Sequence, residues 1–108
     1  MAIKTLAPAT VSAANTATRI TAGQSDATLR VMATWLRIQA DKDNVNTVYI
    51  GDSNVATSTT DRGLILSVTD GDAFPSYVDM PIGQVNLADI YFASSDPNGK
   101  VSVVYMSV

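Results

Sequence analysis

Histidine, cysteine and glutamate are all absent from this chain of 108 residues. Without histidine and cysteine the commonest general base and the usual thiol nucleophile are gone, along with most transition-metal sites, and no Ser-His-Asp triad can be built. No disulfide can form, so cysteine usage leaves the redox compartment unreadable. Basic residues are sparse too: seven Lys and Arg, scattered singly in a chain of net charge −3, leave no footprint for a nucleic acid. No apolar run approaches the roughly 20 residues that span a bilayer, so no membrane role is expected. The opening "MAIKTLAPATVSAANTA" is interrupted by Pro8, Thr10 and Ser12 and is too polar for a signal peptide, which predicts a protein made in the cytoplasm without an export signal.

What the chain does contain is Val, Thr, Ser and Ala, with every one of its ten acidic residues an aspartate. Aspartate competes with the backbone for hydrogen bonds and favours turns and caps, where glutamate would favour helix. Val and Thr punctuated by Asp, Asn and Gly spell strands and turns, an all-β composition. The length suits one domain with a radius of gyration of roughly 13 Å.

Residues 1–28 are dominated by small and hydroxylated side chains, with little bulk to bury. They read as an extended N-terminal arm with one short strand near Ala17–Thr21, either loosely ordered or adding a strand to a neighbouring subunit. On either reading residues 1–16 are dispensable for the fold. The domain proper is expected over residues 29–108. "LRVMATWLRIQA" alternates Leu29, Val31, Ala33 and Trp35 against Met32, Leu36 and Ile38, a strand apolar on both faces. Trp35 reads most simply as a core residue, with an exposed binding platform as the alternative. After the turn "DKDNVN" come the strand "TVYI", a Ser/Thr loop, "GLILSV", the turn "TDGD", and a strand from about Ala73 through Val78. Pro75 and Pro81 bracket that last strand and place it at a sheet edge. "DIYFAS" and "KVSVVYMSV" close the chain. "SDPNGK" between them predicts a hairpin, with Pro97 and Asn98 central and Gly99 left-handed in a G1 bulge. Turns every eight to twelve residues predict an antiparallel β-sandwich or jelly-roll barrel of about seven or eight short strands.

The final strand sets Val101, Val103 and Tyr105 against Val104, Met106 and Val108, and so is again apolar on both faces. Two such strands in so small a domain suggest that one sheet face meets another chain. The interface candidates are therefore Met32, Trp35, Leu36, Val104, Tyr105 and Met106.

Chemistry is thinly supplied. "GDS" at 51–53 has no partner base beyond Asp or Lys, and Gly, Asp, Ser and Asn are also the residues of a turn that bonds its own backbone. Asp41 with Asp43, and Asp70 with Asp72, are candidate Ca²⁺ ligands. The 12-residue helical loop pattern fails, however, since Val45, Asn46 and Asp52 stand at its positions 5, 6 and 12. Glycoside hydrolysis needs two carboxyls across a cleft, and a domain this small has little room for one. No enzyme activity, metal or cofactor is expected.

The order "TVYIGDSNV", a Ser/Thr loop, "LILSVTDGDAF", then "NLADIYFASSDPNGKVSVVYMSV" resembles small structural proteins of tailed bacteriophages over residues 38–106. The positions that carry it are Gly51–Val55, Gly71–Phe74, Asp89–Tyr91 and Gly99–Tyr105. The resemblance implies a virion component of the capsid decoration or cement type, binding the major capsid protein as a homo-oligomer, a trimer in preference to a dimer. A tail or fibre module recognising a host glycan is the alternative, and a polysaccharide-binding module or small esterase a third. The glycan reading needs exposed aromatics, few of which lie outside the expected strands.

Overall fold

The computed structural model describes residues 3–26, 28, 30–41, 47–56, 64–66 and 77–107. Nine strands lie among them: β1 Ile3–Thr5, β2 Ala9–Thr10, β3 Thr18–Arg19, β4 Met32–Ala40, β5 Val48–Gly51, β6 Leu64–Leu66, β7 Tyr77–Asn86, β8 Tyr91–Ser94 and β9 Lys100–Ser107. The described residues include no α-helix, only a 3₁₀ turn at Leu87–Asp89. All pairings are antiparallel. One sheet runs β1-β9-β4-β7, with β2 also on β9; the other runs β3-β8-β5-β6.

The two sheets close on a single core. Ala33, Leu36, Ile38, Val101, Val103 and Tyr105 come from the larger sheet, and Val48, Ile50, Leu66 and Phe92 from the smaller. Each large side chain fully buried contributes about 1.5–3 kcal/mol. The radius of gyration, 12.7 Å, is that of a tightly folded chain of this length.

Against β9 the register passes from Ala33–Ser107 to Trp35–Met106, so Thr34 is an extra residue in β4, a β-bulge; against β7 it passes from Ala33–Val85 to Trp35–Pro81, and there the extra residues lie in β7. The bulge changes the parity of the strand. Ala33 points inward, and so do Leu36, Ile38 and Ala40, each at most 1% exposed. Trp35, Arg37 and Gln39 therefore point outward. The strand that reads as apolar on both faces buries one face, in two segments of opposite phase.

The N-terminal segment is part of the body and does not stand off as an arm. β1 and β2 lie along one side of β9, while β3 lies along β8 in the opposite sheet. Leu6, Ala9, Val11 and Ile20 are all core residues, at most 5% exposed. Its small and hydroxylated residues do local work. Thr18 Oγ1 accepts from the Ser12 amide at 3.0 Å and donates to the Thr16 carbonyl at 3.2 Å. Asn15 takes a left-handed φ of 61° and its amide donates to the Ser94 carbonyl at 2.7 Å, tying the crossing to β8. At Gly23 a Cβ would stand 2.4 Å from the Pro8 carbonyl oxygen, so two passes of this segment touch through a glycine.

"SDPNGK" turns the chain but does not make a hairpin. The Gly99 amide donates to the Asp96 carbonyl at 3.0 Å across Pro97 and Asn98, and Asp96 Oδ1 accepts from the Asn98 amide at 2.9 Å. β8 and β9 nevertheless belong to different sheets. Gly99 is not left-handed. It is needed because a Cβ there would meet Ser94 Cβ at 2.6 Å, and the turn folds down against the end of β8. β7 stands at the end of its sheet's order with Pro81 inside it, which agrees with the edge expected from the prolines; residues 73–76 of that expected strand lie outside the described residues.

Deleting residues 1–16 removes Leu6, Ala9 and Val11 from the core and strips β1 and β2 from β9. At about 1.5–3 kcal/mol for each large side chain, that loss approaches the whole stability of a domain. The shortened chain is expected to lose its cooperative thermal transition by circular dichroism. The milder Gly23→Ala should keep the transition but lower stability by about 1–3 kcal/mol in urea titration, since backbone must shift to admit the methyl.

Candidate interaction surface

The outward face of the larger sheet is set by the bulge in β4 and by simple alternation in β9. Two registered rows cross it. Ile3, Met106 and Trp35 stand in line across β1, β9 and β4, and beside them stand Thr5, Val104, Arg37 and Asp79, the last on β7. Ile3 is 72% exposed; Trp35, Val104 and Met106 are half-buried, as is Met32 beyond the bulge. An apolar row thus runs over the outside of the sheet, bordered by a polar one.

The polar row is tightly organised. Arg37 Nε and Nη2 donate to Asp79 Oδ1 and Oδ2 at 2.6 and 2.9 Å, a two-pronged pair between directly opposed residues. The Arg37 guanidinium also lies over the Tyr77 ring, 4.1 Å from its centroid, and Tyr77 is 53% exposed. The hydrogen bond to Asp79 raises the Arg37 pKa, and the reciprocal bond from Arg37 lowers that of Asp79. Both groups are open to water, so the pair orders the surface more than it stabilises the fold.

The six residues expected at an interface divide. Met32, Trp35, Val104 and Met106 lie on the outer face. Leu36 and Tyr105 do not: they oppose each other across β4 and β9 on the inner face, 0% and 8% exposed, inside the chain's own core. Leu36 differs from expectation because strict alternation carried across Thr34 gives the wrong face. Ile3, Arg37, Tyr77 and Asp79 escape the sequence reading. A signal for Arg37 was present: it shares parity with Trp35 and Gln39, and a strand does not bury that parity without burying a charge.

Elsewhere the polar residues serve the backbone. In "GDSNV" Asp52 Oδ1 accepts from the Asn54 amide at 2.9 Å and the Asp52 carbonyl accepts from the Val55 amide at 3.0 Å, while Val55 is buried as the plug of the turn. Asp52, Ser53 and Asn54 face solvent. Of the aspartates considered for calcium, Asp43, Asp70 and Asp72 lie outside the described residues. Among those described, no three acidic side chains gather as a metal-holding group.

No protein-family model, curated protein or solved structure matches the chain.

The Arg37–Asp79 pair makes a signed prediction. Asp79, held low by its partner, adds stability that is present above the ordinary aspartate pKa of about 3.9 and is lost as pH falls through its own lower value. A carboxyl-carbon NMR titration should place the Asp79 midpoint below that ordinary value, and Arg37→Gln should return it there.

Proposed function

We propose that the chain is a non-enzymatic structural protein of a tailed-phage virion, one that binds the outside of the capsid and reinforces contacts between capsid subunits. In this reading the two sheets are the layers of a β-sandwich, wired as a jelly roll, and the working form is a homo-oligomer. The observation that carries it is the apolar row on the outer face of the larger sheet, Ile3 72% exposed with Met106 and Trp35 half-buried, and Val104 half-buried in the neighbouring row. A face of this kind on so small a domain marks a surface for association. The resemblance of "YIGDSNV" and of the closing "ADIYFASSDPNGKVSVVY" to phage structural proteins supplies the setting.

Supporting this reading, among the described residues several polar side chains serve turns and caps. Asp52, Asp96 and Asn86 each accept backbone amides of their own loops. The edges of β9 and β8 are covered by the chain's own N-terminal strands, so association falls to a face and not to strand addition by that segment. A shell protein repeated over many equivalent sites needs only a modest interface per copy, because multivalent attachment multiplies weak contacts.

The test is co-sedimentation of the full chain with expanded capsids of its phage prepared without it. Saturable pelleting at a fixed number of copies per particle, with the decorated particles bursting at a higher temperature, is expected. A chain that stays in the supernatant at all concentrations contradicts the proposal, and retention on host-surface polysaccharide instead would favour the glycan-binding alternative.

A further inference from the structure

We propose that the Asn98–Gly99 peptide is a site of spontaneous deamidation that the native turn holds shut, so that chains are modified there only when the turn has opened.

Asn98 is the one asparagine in the chain followed by glycine. The reaction is internal. Hydroxide takes the proton of the Gly99 backbone nitrogen, which then attacks Cγ of the Asn98 side chain. An N–Cγ bond forms and the Cγ–Nδ2 bond breaks. The side-chain nitrogen takes a proton from water and leaves as ammonia, and a five-membered succinimide remains. Water opens that ring at either carbonyl, giving aspartate or, with the main chain rerouted through Cγ, isoaspartate. One water enters, one ammonia leaves, and nothing is oxidised. Asn98 is exposed to the solvent that supplies both reagents, and Gly99 carries no side chain to hinder the attack.

The folded turn opposes each requirement of that chemistry. The Gly99 amide is buried and donates to the Asp96 carbonyl at 3.0 Å, so the proton that must leave is engaged, and the anion left behind would face a carbonyl oxygen. The Asn98 amide is held too, donating to Asp96 Oδ1 at 2.9 Å. Asp96 is only 7% exposed and is itself anchored, its amide donating to Ser94 Oγ at 3.2 Å.

Rotation about the Asn98 Cα–C bond is wrong as well. Asn98 has a negative φ, which together with the Asp96–Gly99 bond makes a type I turn, with ψ at Asn98 of about 0°. Ring closure needs the Asn98 Cβ eclipsed with the Gly99 nitrogen, a rotation of roughly 120° that leaves the main allowed regions. Gly99 cannot follow such a rotation where it sits. A Cβ on it would stand 2.6 Å from Ser94 Cβ, and its carbonyl accepts from the Val11 amide at 2.9 Å.

The two products differ in what the fold can accept. Aspartate keeps the main chain as it was. Isoaspartate adds a methylene to it just before Lys100 pairs with Thr10 and Val101 with Ala40. A chain carrying isoaspartate cannot close the turn in its old register, so each opening that ends in this product is a one-way loss.

Peptide mass mapping of the full chain, held at mildly alkaline pH both folded in buffer and unfolded in guanidinium chloride, reads the change from amide to acid at Asn98. Asp70–Gly71 can form the same ring, but it loses and regains water with no net change in mass. Asn98 should convert in the unfolded chain, and roughly 30-fold or more slowly in the folded one, because the turn must open first. Asp96→Ala removes the acceptor for the Asn98 amide and should raise the folded rate severalfold without changing the unfolded rate. Circular dichroism shows whether that variant is folded; if it is not, the two rates of the parent chain decide. After refolding, the isoaspartyl fraction should melt below the parent, and Asn98→Asp close to it.

A folded chain that converts as fast as the unfolded one overturns the proposal, as does an unfolded chain in which Asn98 stays intact. A folded Asp96→Ala variant that converts at the parental rate overturns the part assigned to Asp96. None of these readings involves a partner, so the capsid assay stands or fails apart from them.

Discussion

One extra residue in one strand decides which way this protein faces. The bulge at Thr34 lets β4 bury Ala33 before it and Leu36, Ile38 and Ala40 after it, so a strand with apolar residues at both parities still presents a single inner face. β4 lies between β7 and β9; β9 alternates simply past the bulge, while β7 carries two extra residues of its own opposite Thr34. Leu36 meets Tyr105 inside, whereas Trp35 meets Met106 and Arg37 meets Val104 and Asp79 outside. Both the core and the candidate surface follow from the phase of β4.

The rest of the architecture supports it through long-range contacts. The chain crosses between sheets at nearly every connection: β2 to β3, β3 to β4, β4 to β5, β6 to β7, β7 to β8 and β8 to β9 all change layer. Such wiring makes few local pairings, and it places residues distant in sequence side by side. The N-terminal segment is the clearest case, covering β9 on one sheet and β8 on the other while Leu6, Val11 and Ile20 enter the core between them. Asn86 plays a similar part at the opposite end, its Oδ1 accepting from the Val31 amide at 3.0 Å and from the Ala88 amide at 3.2 Å, so that it caps the 3₁₀ turn and holds the approach to β4.

What was legible in the sequence was local. β-branched and aromatic runs marked β5, β8 and β9, and Pro81 marked an edge strand. Asp52 and Asn54 announced a turn, because each of these rests on the backbone preference of a few neighbouring residues. What was illegible was relational. Pro97-Asn98 does turn the chain, but turn chemistry is silent on whether the departing strand pairs with the arriving one, and here it joins the other sheet. The N-terminal residues looked too small to matter, yet Ala9 and Gly23 are small because backbone packs closely there: Ala9 is fully buried and Gly23 lies against Pro8. Four of the six interface candidates lie on the outer face. Leu36 is misplaced because alternation counts residues and cannot see a bulge, whereas Tyr105 lies on the inner face that simple alternation gives it beside Val101 and Val103.

Because the bulge sets the phase of β4, deletion of Thr34 is the most direct measurement to make, with Thr34→Ala as the control that keeps the count and loses only the side chain. Without the extra residue the strand must turn either Ala33 or the set Leu36, Ile38 and Ala40 toward water. Thermal unfolding followed by circular dichroism should then show the deletion without a cooperative transition and the alanine variant close to the parent. A deletion variant that melts like the parent would contradict the claim that one inserted residue fixes the core and the outer face together.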